Sequence, residues 1–432
     1  MKPGGRIQAA AEVLEDILVR HQPASTALAD WGKRHRFAGS GDRAAIGTLV
    51  FDALRRRLSL AAQMGGEAPR LLAIAAAPRA LGLSVDDVLA ACDGSVHAPQ
   101  PIDETEQARL AVGEPAADAP AHVGADVPEW LMASFVRAFG ERAIAEGRAM
   151  AERAPIDLRA NTLKATREKV LSALSNFGAQ PTQLAPFGVR IAAPEGPRKS
   201  PHVEAEAAHG KGWFEVQDEG SQLAAALSGA GPRQQVLDLC AGAGGKTLAL
   251  AAAMQNSGQI YAYDADKGQL RPIFERLQRA GVRNAQVLEG GNRAALEALG
   301  ARFDTVLVDA PCSGSGTWRR KPDAKWRLKP EALATRQKEQ REVLELASGL
   351  VKPGGRLIYV TCSVLPEENV DQVAWFLGAH PGFALVPFGE AWRAALGSEP
   401  PHSADGSAET LLLTPALHGT DGFFVASFRQ AA

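Results

Sequence analysis

Two of the four cysteines stand where a thiol could act as a nucleophile. Cys312 ends the sequence DAPC at 309–312, Cys362 is the centre of TCS at 361–363, and an apolar run typical of a strand precedes each. A thiolate is a strong nucleophile, and a neighbouring cation lowers the pKa of a thiol. Lys246, in a glycine-rich segment, could supply that cation. A single cysteine is more often a packing residue, but two at strand ends beside a glycine-rich loop favour nucleophilic catalysis.

The glycine-rich segment VLDLCAGAGGKT at 236–247 has the pattern strand, turn, helix, which lets a ligand approach backbone N–H groups. A P-loop would need glycine at Cys240, and the spacing of a dinucleotide-binding motif followed by an acid is missing. S-adenosylmethionine is the third interpretation, because Asp264 closes the next predicted strand, where a carboxylate could bind ribose hydroxyls. A turn that binds no ligand is the alternative. The candidate cofactor loop consists of Cys240, Ala241, Gly242, Ala243, Gly244, Gly245 and Lys246.

Methylation of a pyrimidine carbon would use such a set of groups. C5 of cytosine is too weak a nucleophile to attack a methylsulfonium directly, and addition of a thiolate at C6 makes C5 reactive. An acid near N3 would stabilise the electron density that accumulates there. A base would then remove the C5 proton so that the thiolate can leave.

The elements that would position these residues alternate between strands and helices from about residue 212 onward. The predicted strands cover 235–240, 260–264, 285–289, 305–309 and 356–362. This alternation predicts an α/β fold with a parallel sheet and helices on both faces. Ligands in such sheets bind beyond the carboxyl ends of the strands, and three of the four cysteines fall there.

The preceding residues predict two other regions. Apolar residues at helical spacing over 10–18 and 46–54 indicate helices. The second helix ends in Arg55, Arg56 and Arg57, whose charges either interact favourably with the helix C-terminus or contact RNA. Residues 95–128, rich in Pro, Ala and acids, are interpreted as a partly ordered linker. A strand at 156–161, a helix ending near Gly178 and a strand at 189–191 predict a small α+β module. We predict domains at 1–140, 150–212 and 213–432.

Composition restricts the class of protein. The 432 residues are 46% hydrophobic and 22% charged, with a formal net charge of −2, which excludes a histone-like polycation. No apolar stretch approaches the roughly 18 residues of a membrane span, and no signal peptide is visible. The four cysteines form no CxxC pair, so zinc and disulfide scaffolds are not expected. A cytoplasmic protein without a metal is predicted; a monomer is favoured, although the sequence does not show the oligomeric state.

Longer motifs resemble the Sun/Nop family of RNA cytosine-5 methyltransferases, and most closely its bacterial RsmB-type branch, which modifies small-subunit ribosomal RNA. They cover the chain from about residue 155 onward: LRANTL at 158–163, QDEGSQL at 217–223, DLCAGAGGKT at 238–247, DAPCSGSGTWRRKPDAKW at 309–326, TCSVLPEEN at 361–369 and DGFF at 421–424. The resemblance implies a Rossmann-like methyltransferase sheet and S-adenosylmethionine as cofactor. The stretch GDRAAIGTLVFDALRRRLSL at 41–60 resembles the NusB-like RNA-binding domain of the same branch.

The resemblance also implies a role for each matching residue. Cys362 would be the covalent nucleophile, and Cys312 would assist release of the product. Asp309 would hydrogen-bond the cytosine near N3 and border the cofactor, Lys246 would lie near the nucleophile, and Asp264 would hold the cofactor ribose.

Two positions depart from the family pattern. The usual Ala-Pro of the glycine loop is Gly242-Ala243 here, and cofactor binding is still expected. An aspartate that contacts adenine is usual after the third strand, but Gly291 occupies that position, and Asn292 could offer its amide instead.

A basic segment interleaved with tryptophans favours contact with single-stranded RNA. The candidate RNA-binding residues are Arg319, Arg320, Lys321, Lys325 and Trp326. A solvated loop with its tryptophans in the core is the alternative. Other functions remain possible: the same chemistry on tRNA, a DNA-type enzyme that attacks with Cys312 and carries Glu368-Asn369-Val370, or a catalytically silent ribosome-assembly factor. Thr-Cys-Ser at 361–363 favours RNA over DNA.

Overall fold

The protein is described by a computed structural model that covers residues 1–113 and 118–432. The first region is helical, and its helices enclose one hydrophobic core that includes Ile7, Leu14, Leu49 and Leu72. Its helices are α1 (Pro3–Leu18), α2 (Ala24–Arg34), α3 (Ser40–Arg55), α4 (Arg57–Met64), α5 (Pro69–Leu81), α6 (Val85–Ala91) and α7 (Glu104–Val112). The helical spacing over 10–18 and 46–54 therefore predicted the buried faces of α1 and α3.

The stretch predicted as a linker is more ordered than its prolines suggested. Asp103 begins α7 with a capping box, in which its side chain accepts from the Glu106 N–H and the Glu106 side chain accepts from the Asp103 N–H. Leu110 of α7 is buried in the helical core. Pro99 and Pro101 precede α7 and therefore do not interrupt it. Residues 114–117 of this predicted linker lie outside the described residues.

The next helices contribute to the hydrophobic core of the large sheet, and the first of them also contacts α4 of the helical region. They are α8 (Ala121–Ala125), α9 (Met132–Phe139) and α10 (Ala143–Met150). Phe135 of α9 stacks on Trp318, with ring centroids 6.0 Å apart and planes 9° from parallel. The predicted domain boundary at residue 140 therefore falls inside a packed unit.

A small antiparallel sheet follows, with the strand order β2-β3-β1-β4. Its elements are β1 (Ile156–Ala160), α11 (Arg167–Ala173), β2 (Gln180–Pro181), β3 (Gly188–Ile191), α12 (Ala207–Gly210) and β4 (Phe214–Val216). Leu158, Val189 and Phe214 from three of the strands are fully buried against Val170 of α11. The predicted α+β character of this region is confirmed.

The large sheet has the order β10-β12-β9-β8-β5-β6-β7. Its strands are β5 (Gln235–Asp238), β6 (Gln259–Ala262), β7 (Ala285–Val287), β8 (Phe303–Asp309), β9 (Val351–Thr361), β10 (Phe383–Val386), β11 (Leu411–Leu413) and β12 (Phe423–Gln430), where β11 pairs only with β12. Strands β5 to β9 are parallel, as predicted, whereas β12 runs antiparallel to both β9 and β10. The Rossmann-like sheet is confirmed, and its antiparallel edge was not predicted.

Helices cover both faces of this sheet. Val306 and Val308 of β8 face one hydrophobic core and Leu307 faces the other, because successive side chains of a strand point to opposite faces. The helices are α13 (Glu219–Ala226), α14 (Gly245–Ala253), α15 (Lys267–Leu270), α16 (Ile273–Ala280), α17 (Arg293–Glu297), α18 (Pro322–Arg327), α19 (Pro330–Ser348), α20 (Val370–Ala379), α21 (Phe388–Leu396) and α22 (Pro415–His418). In the described part of the chain, no helix is both long and apolar enough to cross a lipid bilayer.

Helix α18 connects the region that contains the large sheet to the N-terminal helical region. The ammonium of Lys325 donates to the main-chain oxygens of Arg55, 2.9 Å away, and Asp126, 2.6 Å away. The indole of Trp326 donates to the Leu54 carbonyl at 2.7 Å. These carbonyls lie at the ends of α3 and α8, where the last turn of a helix leaves acceptors without a partner. Lys325 thus satisfies two helix ends at once.

Candidate active site

A cavity of about 1000 Å³ lies at the carboxyl ends of the parallel strands. Its size is at the upper end of the range for small-molecule sites, which leaves room for a second group beside a cofactor. The structure brings most of the sequence-predicted residues to its wall. These are Cys240, Ala241, Gly242, Ala243, Gly245, Lys246, Asp264, Asp309, Cys312, Arg320 and Cys362.

The glycine loop between β5 and α14 turns tightly and faces the next strand. Gly244 has φ +85°, and a Cβ there would lie 2.5 Å from Cγ1 of Ile273, so only glycine fits. Gly244 shapes the turn without lining the cavity. The Gly242 N–H donates to Oδ2 of Asp264 at 2.9 Å. Asp264 therefore joins the end of β6 to the loop and still borders the cavity.

A lysine–carboxylate pair lies at the centre of the wall. Nζ of Lys246 is 2.5 Å from Oδ2 of Asp309, which ends β8, and the lysine side chain is almost fully buried. The ammonium also lies 5.4 Å from the ring centroid of Phe423. Behind this pair, burial raises the pKa of Asp238 to about 7, although Thr247 donates a hydrogen bond to it. Lys246 and Asp309 therefore hold each other at the cavity surface.

The two thiols are adjacent. Sγ of Cys312 lies 3.4 Å from Sγ of Cys362, since the two cysteines follow the neighbouring strands β8 and β9. The hydrogen bond with Cys362 and burial raise the pKa of the Cys312 thiol well above its usual value. The expectation that a neighbouring cation lowers the thiol pKa therefore does not hold for Cys312.

Asn292 does not reach the cavity, which corrects the prediction that it contacts the cofactor. Its Oδ1 accepts from the Ala295 N–H and caps α17, and its amide nitrogen donates to Glu289. Asparagine is favoured at this capping position for that reason. Arg293, the next residue, lines the cavity instead.

The basic segment is mostly not a solvated surface, which corrects three of the predicted RNA contacts. Arg319 is 5% exposed and pairs with Asp421, and Lys325 is 1% exposed between the carbonyls at the helix ends. Trp326 donates to Leu54 and packs against the helical core. Lys321 is exposed, and Arg320 is partly exposed at the cavity wall. Lys321 and Arg320 therefore keep the predicted exposure to solvent.

Sequence reasoning missed two buried carboxylates that hold Arg320 in this wall. The guanidinium of Arg320 donates to Asp421 and, at 3.0 Å, to Oδ2 of Asp218. Burial and the negative charge of Asp421 raise the pKa of Asp218 to about 7. The two aspartates belong to the motifs QDEGSQL and DGFF, so the sequence pointed to both residues, but it did not indicate what they do.

Comparison with known families gives two matches. Residues 226–429 match the model described as 16S rRNA methyltransferase RsmB/F. Residues 127–196 match a ferredoxin-like domain described as RsmF/B-like. The described residues contain no group of three or more His, Cys, Asp or Glu side chains arranged to hold a metal ion.

Named relatives and solved structures agree with these matches. The chain is 33% identical over 312 residues to a probable ribosomal RNA small subunit methyltransferase B of Synechocystis, covering 70% of this chain and 67% of the relative. It is 32% identical to ribosomal RNA small subunit methyltransferase B of Photorhabdus laumondii, covering 69% and 65%. The crystal structure of PH0851 covers 100% of this chain and 99% of its own, with 27% identity and a TM-score of 0.74. A methyltransferase homolog from Pyrococcus horikoshii covers 72% and 97%, with 29% identity and a TM-score of 0.59.

Proposed function

Because this chain belongs to the RsmB/F family of methyltransferases, we propose that it methylates C5 of a cytosine in RNA, through a covalent bond between Cys362 and C6. Small-subunit ribosomal RNA is the proposed substrate, since the relatives bear that name. The observation that carries the proposal is the pair of thiols, 3.4 Å apart, beside Asp309 in the cavity. Cytosine C5 chemistry needs a nucleophile, an acid and a base around one ring.

The residues around the glycine loop fit S-adenosylmethionine. Positive φ at Gly242 lets a ligand approach the backbone near the start of α14, and the Asp264 carboxylate can accept from ribose hydroxyls. Val343 and Leu346 of α19 give the same cavity an apolar part. When bound, S-adenosylmethionine supplies an electrophilic methyl group next to Asp309 and the thiols.

In this mechanism each side chain has a separate task. The Cys362 thiolate adds to C6, and the electron pair of the C5–C6 double bond moves toward N3. The Lys246 ammonium can pass its proton to the Asp309 carboxylate, 2.5 Å away, so that the protonated carboxyl donates a hydrogen bond to N3 and stabilises that density. Once its own proton has passed to solvent, the Cys312 thiolate accepts the C5 proton after methylation, and its raised pKa makes it a strong base. The bond between Cys362 and C6 then breaks to release the Cys362 thiolate.

Arg320 and Lys321 are the proposed RNA contacts of the basic segment. Arg320 is oriented at the cavity wall by Asp218, Asp421 and the Pro155 carbonyl, and two of its five N–H groups remain for a phosphate. Lys321 is exposed next to it. We propose that these two side chains contact RNA phosphates near the target cytosine.

The test is methyl transfer from labelled S-adenosylmethionine to small-subunit ribosomal RNA, followed by mapping of 5-methylcytosine. Transfer to tRNA alone would select the other RNA substrate. Cofactor binding without transfer to any RNA would favour a silent assembly factor and contradict the proposal.

The cofactor assignment predicts a loss of affinity when Asp264 is replaced. Asp264→Ala should weaken S-adenosylmethionine binding about 10- to 100-fold, because charged hydrogen bonds contribute roughly 1.5–3 kcal/mol and the ribose loses its acceptor. Asn292→Ala is the matched variant: it loses a helix cap but no cavity contact, so affinity should stay within about threefold. Calorimetric titration measures both, and equal affinities in the two variants would show that the ribose acid is misassigned.

A further inference from the structure

We propose that Glu368 is a positioning residue that fixes Cys312 for the release step of the reaction. The inference rests on the proposed function and adds a residue that does not touch the substrate. Glu368 belongs to the Glu-Asn-Val motif that raised the alternative of a DNA-type enzyme, but it does not line the cavity. Its side chain is turned to the loop that carries Cys312.

The carboxyl of Glu368 is 0% exposed and has its partners in that loop. Oε1 accepts from the Ser313 N–H at 2.7 Å, and Oε2 accepts from the Ser313 hydroxyl at 2.5 Å. Both oxygens therefore hold the residue that directly follows Cys312. A buried backbone N–H that loses its acceptor costs about 1–3 kcal/mol, so the loop would shift rather than leave it unpaired.

A second buried side chain holds the other side of Cys312. Gln340 of α19 is 0% exposed, and its amide nitrogen donates to the Pro311 carbonyl at 2.9 Å and to Oε1 of Glu368 at 3.2 Å. Pro311 and Ser313 flank the thiol, so Glu368 and Gln340 form a clamp on both sides of Cys312. We call these two residues the thiol clamp.

A hydroxyl pair and a main-chain hydrogen bond connect the loop of Cys312, which the clamp holds, to the loop of the nucleophile. The Ser315 and Ser363 hydroxyls are 2.9 Å apart, and the Gly316 N–H donates to the Cys362 carbonyl at 3.0 Å. Glu368 itself lies six residues after Cys362, in the turn that follows β9. The clamp thus sets the position of one thiol relative to the other.

Attack and release depend on the clamp to different degrees. Cys362 follows a central strand that pairs on both sides, so its place is set by the sheet. Cys312 sits in a loop without such pairing, and the thiol clamp sets its distance from the C5 proton. A displacement of about 1 Å can slow a chemical step about 100-fold. Loss of the clamp should therefore slow release far more than methyl transfer.

The test compares Glu368→Ala and Glu368→Gln with wild type in single-turnover assays on RNA. We expect Glu368→Ala to methylate within about threefold of the wild-type rate and to release RNA at least about tenfold more slowly, so that a covalent adduct survives denaturing electrophoresis. Glu368→Gln should restore most of the release rate, because its amide oxygen still accepts from the Ser313 N–H. Glu367→Ala is the matched control, since Glu367 accepts from Ser134 in α9 and not from the loop of Cys312.

Distinct results separate this inference from the proposed function. A wild-type protein that methylates no RNA refutes the function, whereas a methylating wild type with unchanged release in Glu368→Ala refutes only the clamp. If Glu368→Ala slowed methyl transfer and release equally, the proposed role of the thiol clamp would also be overturned. If Glu368→Ala fails to bind cofactor and is therefore misfolded, Ser313→Ala removes only the hydroxyl contact. Release at the wild-type rate in Ser313→Ala would then count against the clamp.

Discussion

Replacement of Cys362 by alanine is expected to abolish methyl transfer and to leave no covalent adduct with RNA. Without the thiolate, C5 of cytosine stays unactivated, and loss of a nucleophile lowers the rate by about 10⁴-fold or more. Initial rates with labelled cofactor measure the first effect, and denaturing electrophoresis measures the second. Cys92→Ala is the matched control, because Cys92 is buried in the helical region away from the cavity.

Cys312→Ala should give the complementary result. Attack and methylation proceed, but the C5 proton has no acceptor in place, so the protein–RNA adduct accumulates. The double variant should form no adduct, since the second defect cannot show without the first step. An adduct in Cys362→Ala and none in Cys312→Ala would transfer the nucleophile to the Pro-Cys motif and restore the DNA-type mechanism.

The second large effect concerns the buried lysine that joins the domains. Burial lowers the pKa of Lys325 from 10.5 to about 8, although the charge of Asp126 acts in the opposite direction. The unfolded chain therefore binds more protons than the folded chain between about pH 8 and 10.5, and stability contributed by this group rises with pH in that window. Across this window the contribution of Lys325 to the free energy of unfolding rises by about 3 kcal/mol, since one pKa unit corresponds to about 1.4 kcal/mol.

Lys325→Met removes this titration, so the stability of wild type should increase relative to the variant as pH rises from about 8 to 10. Thermal or urea unfolding at several pH values measures the free energy of unfolding of each protein. Subtracting the value of the variant from that of wild type cancels the contributions of the other groups that titrate in this range. Lys321→Met serves as the control, because Lys321 is exposed in the same segment. If the free energies of unfolding of wild type and Lys325→Met changed with pH in parallel, the lowered pKa of the buried Lys325 would be contradicted.

Much of the cavity could be predicted because its residues follow strands that are visible in the sequence. Apolar runs revealed β5, β6, β8 and β9, and the carboxyl ends of parallel strands share one edge of a sheet. Asp264, Asp309, Cys312 and Cys362 were therefore expected near one another. The bounds were less accurate: β9 begins at Val351, five residues before the predicted start at 356.

The errors have a different physical origin. Lys325 and Arg319 sit in a segment whose charge suggests solvent, but their partners lie far away in the chain: the carbonyl of Arg55 precedes Lys325 by 270 residues. Local spacing carries no information about such contacts. For the same reason the sequence did not reveal the roles of Asp218 and Asp421. These carboxylates come from separate segments and meet at the cavity wall only in the folded protein.

Strand β12 has a consequence for biosynthesis. It lies between β9 and β10, its residue Phe424 pairs with Thr361 directly before the nucleophile, and the Gly422 N–H donates to the Gly316 carbonyl. While the ribosome is still translating the codons before Asp421, β9 has an unpaired edge and Arg319 and Arg320 lack Asp421. A nascent chain carries both thiols for several seconds before this segment emerges. The edge of β9 beside the nucleophile and the two arginines at the cavity wall therefore gain these partners only in the last stage of synthesis of the described chain.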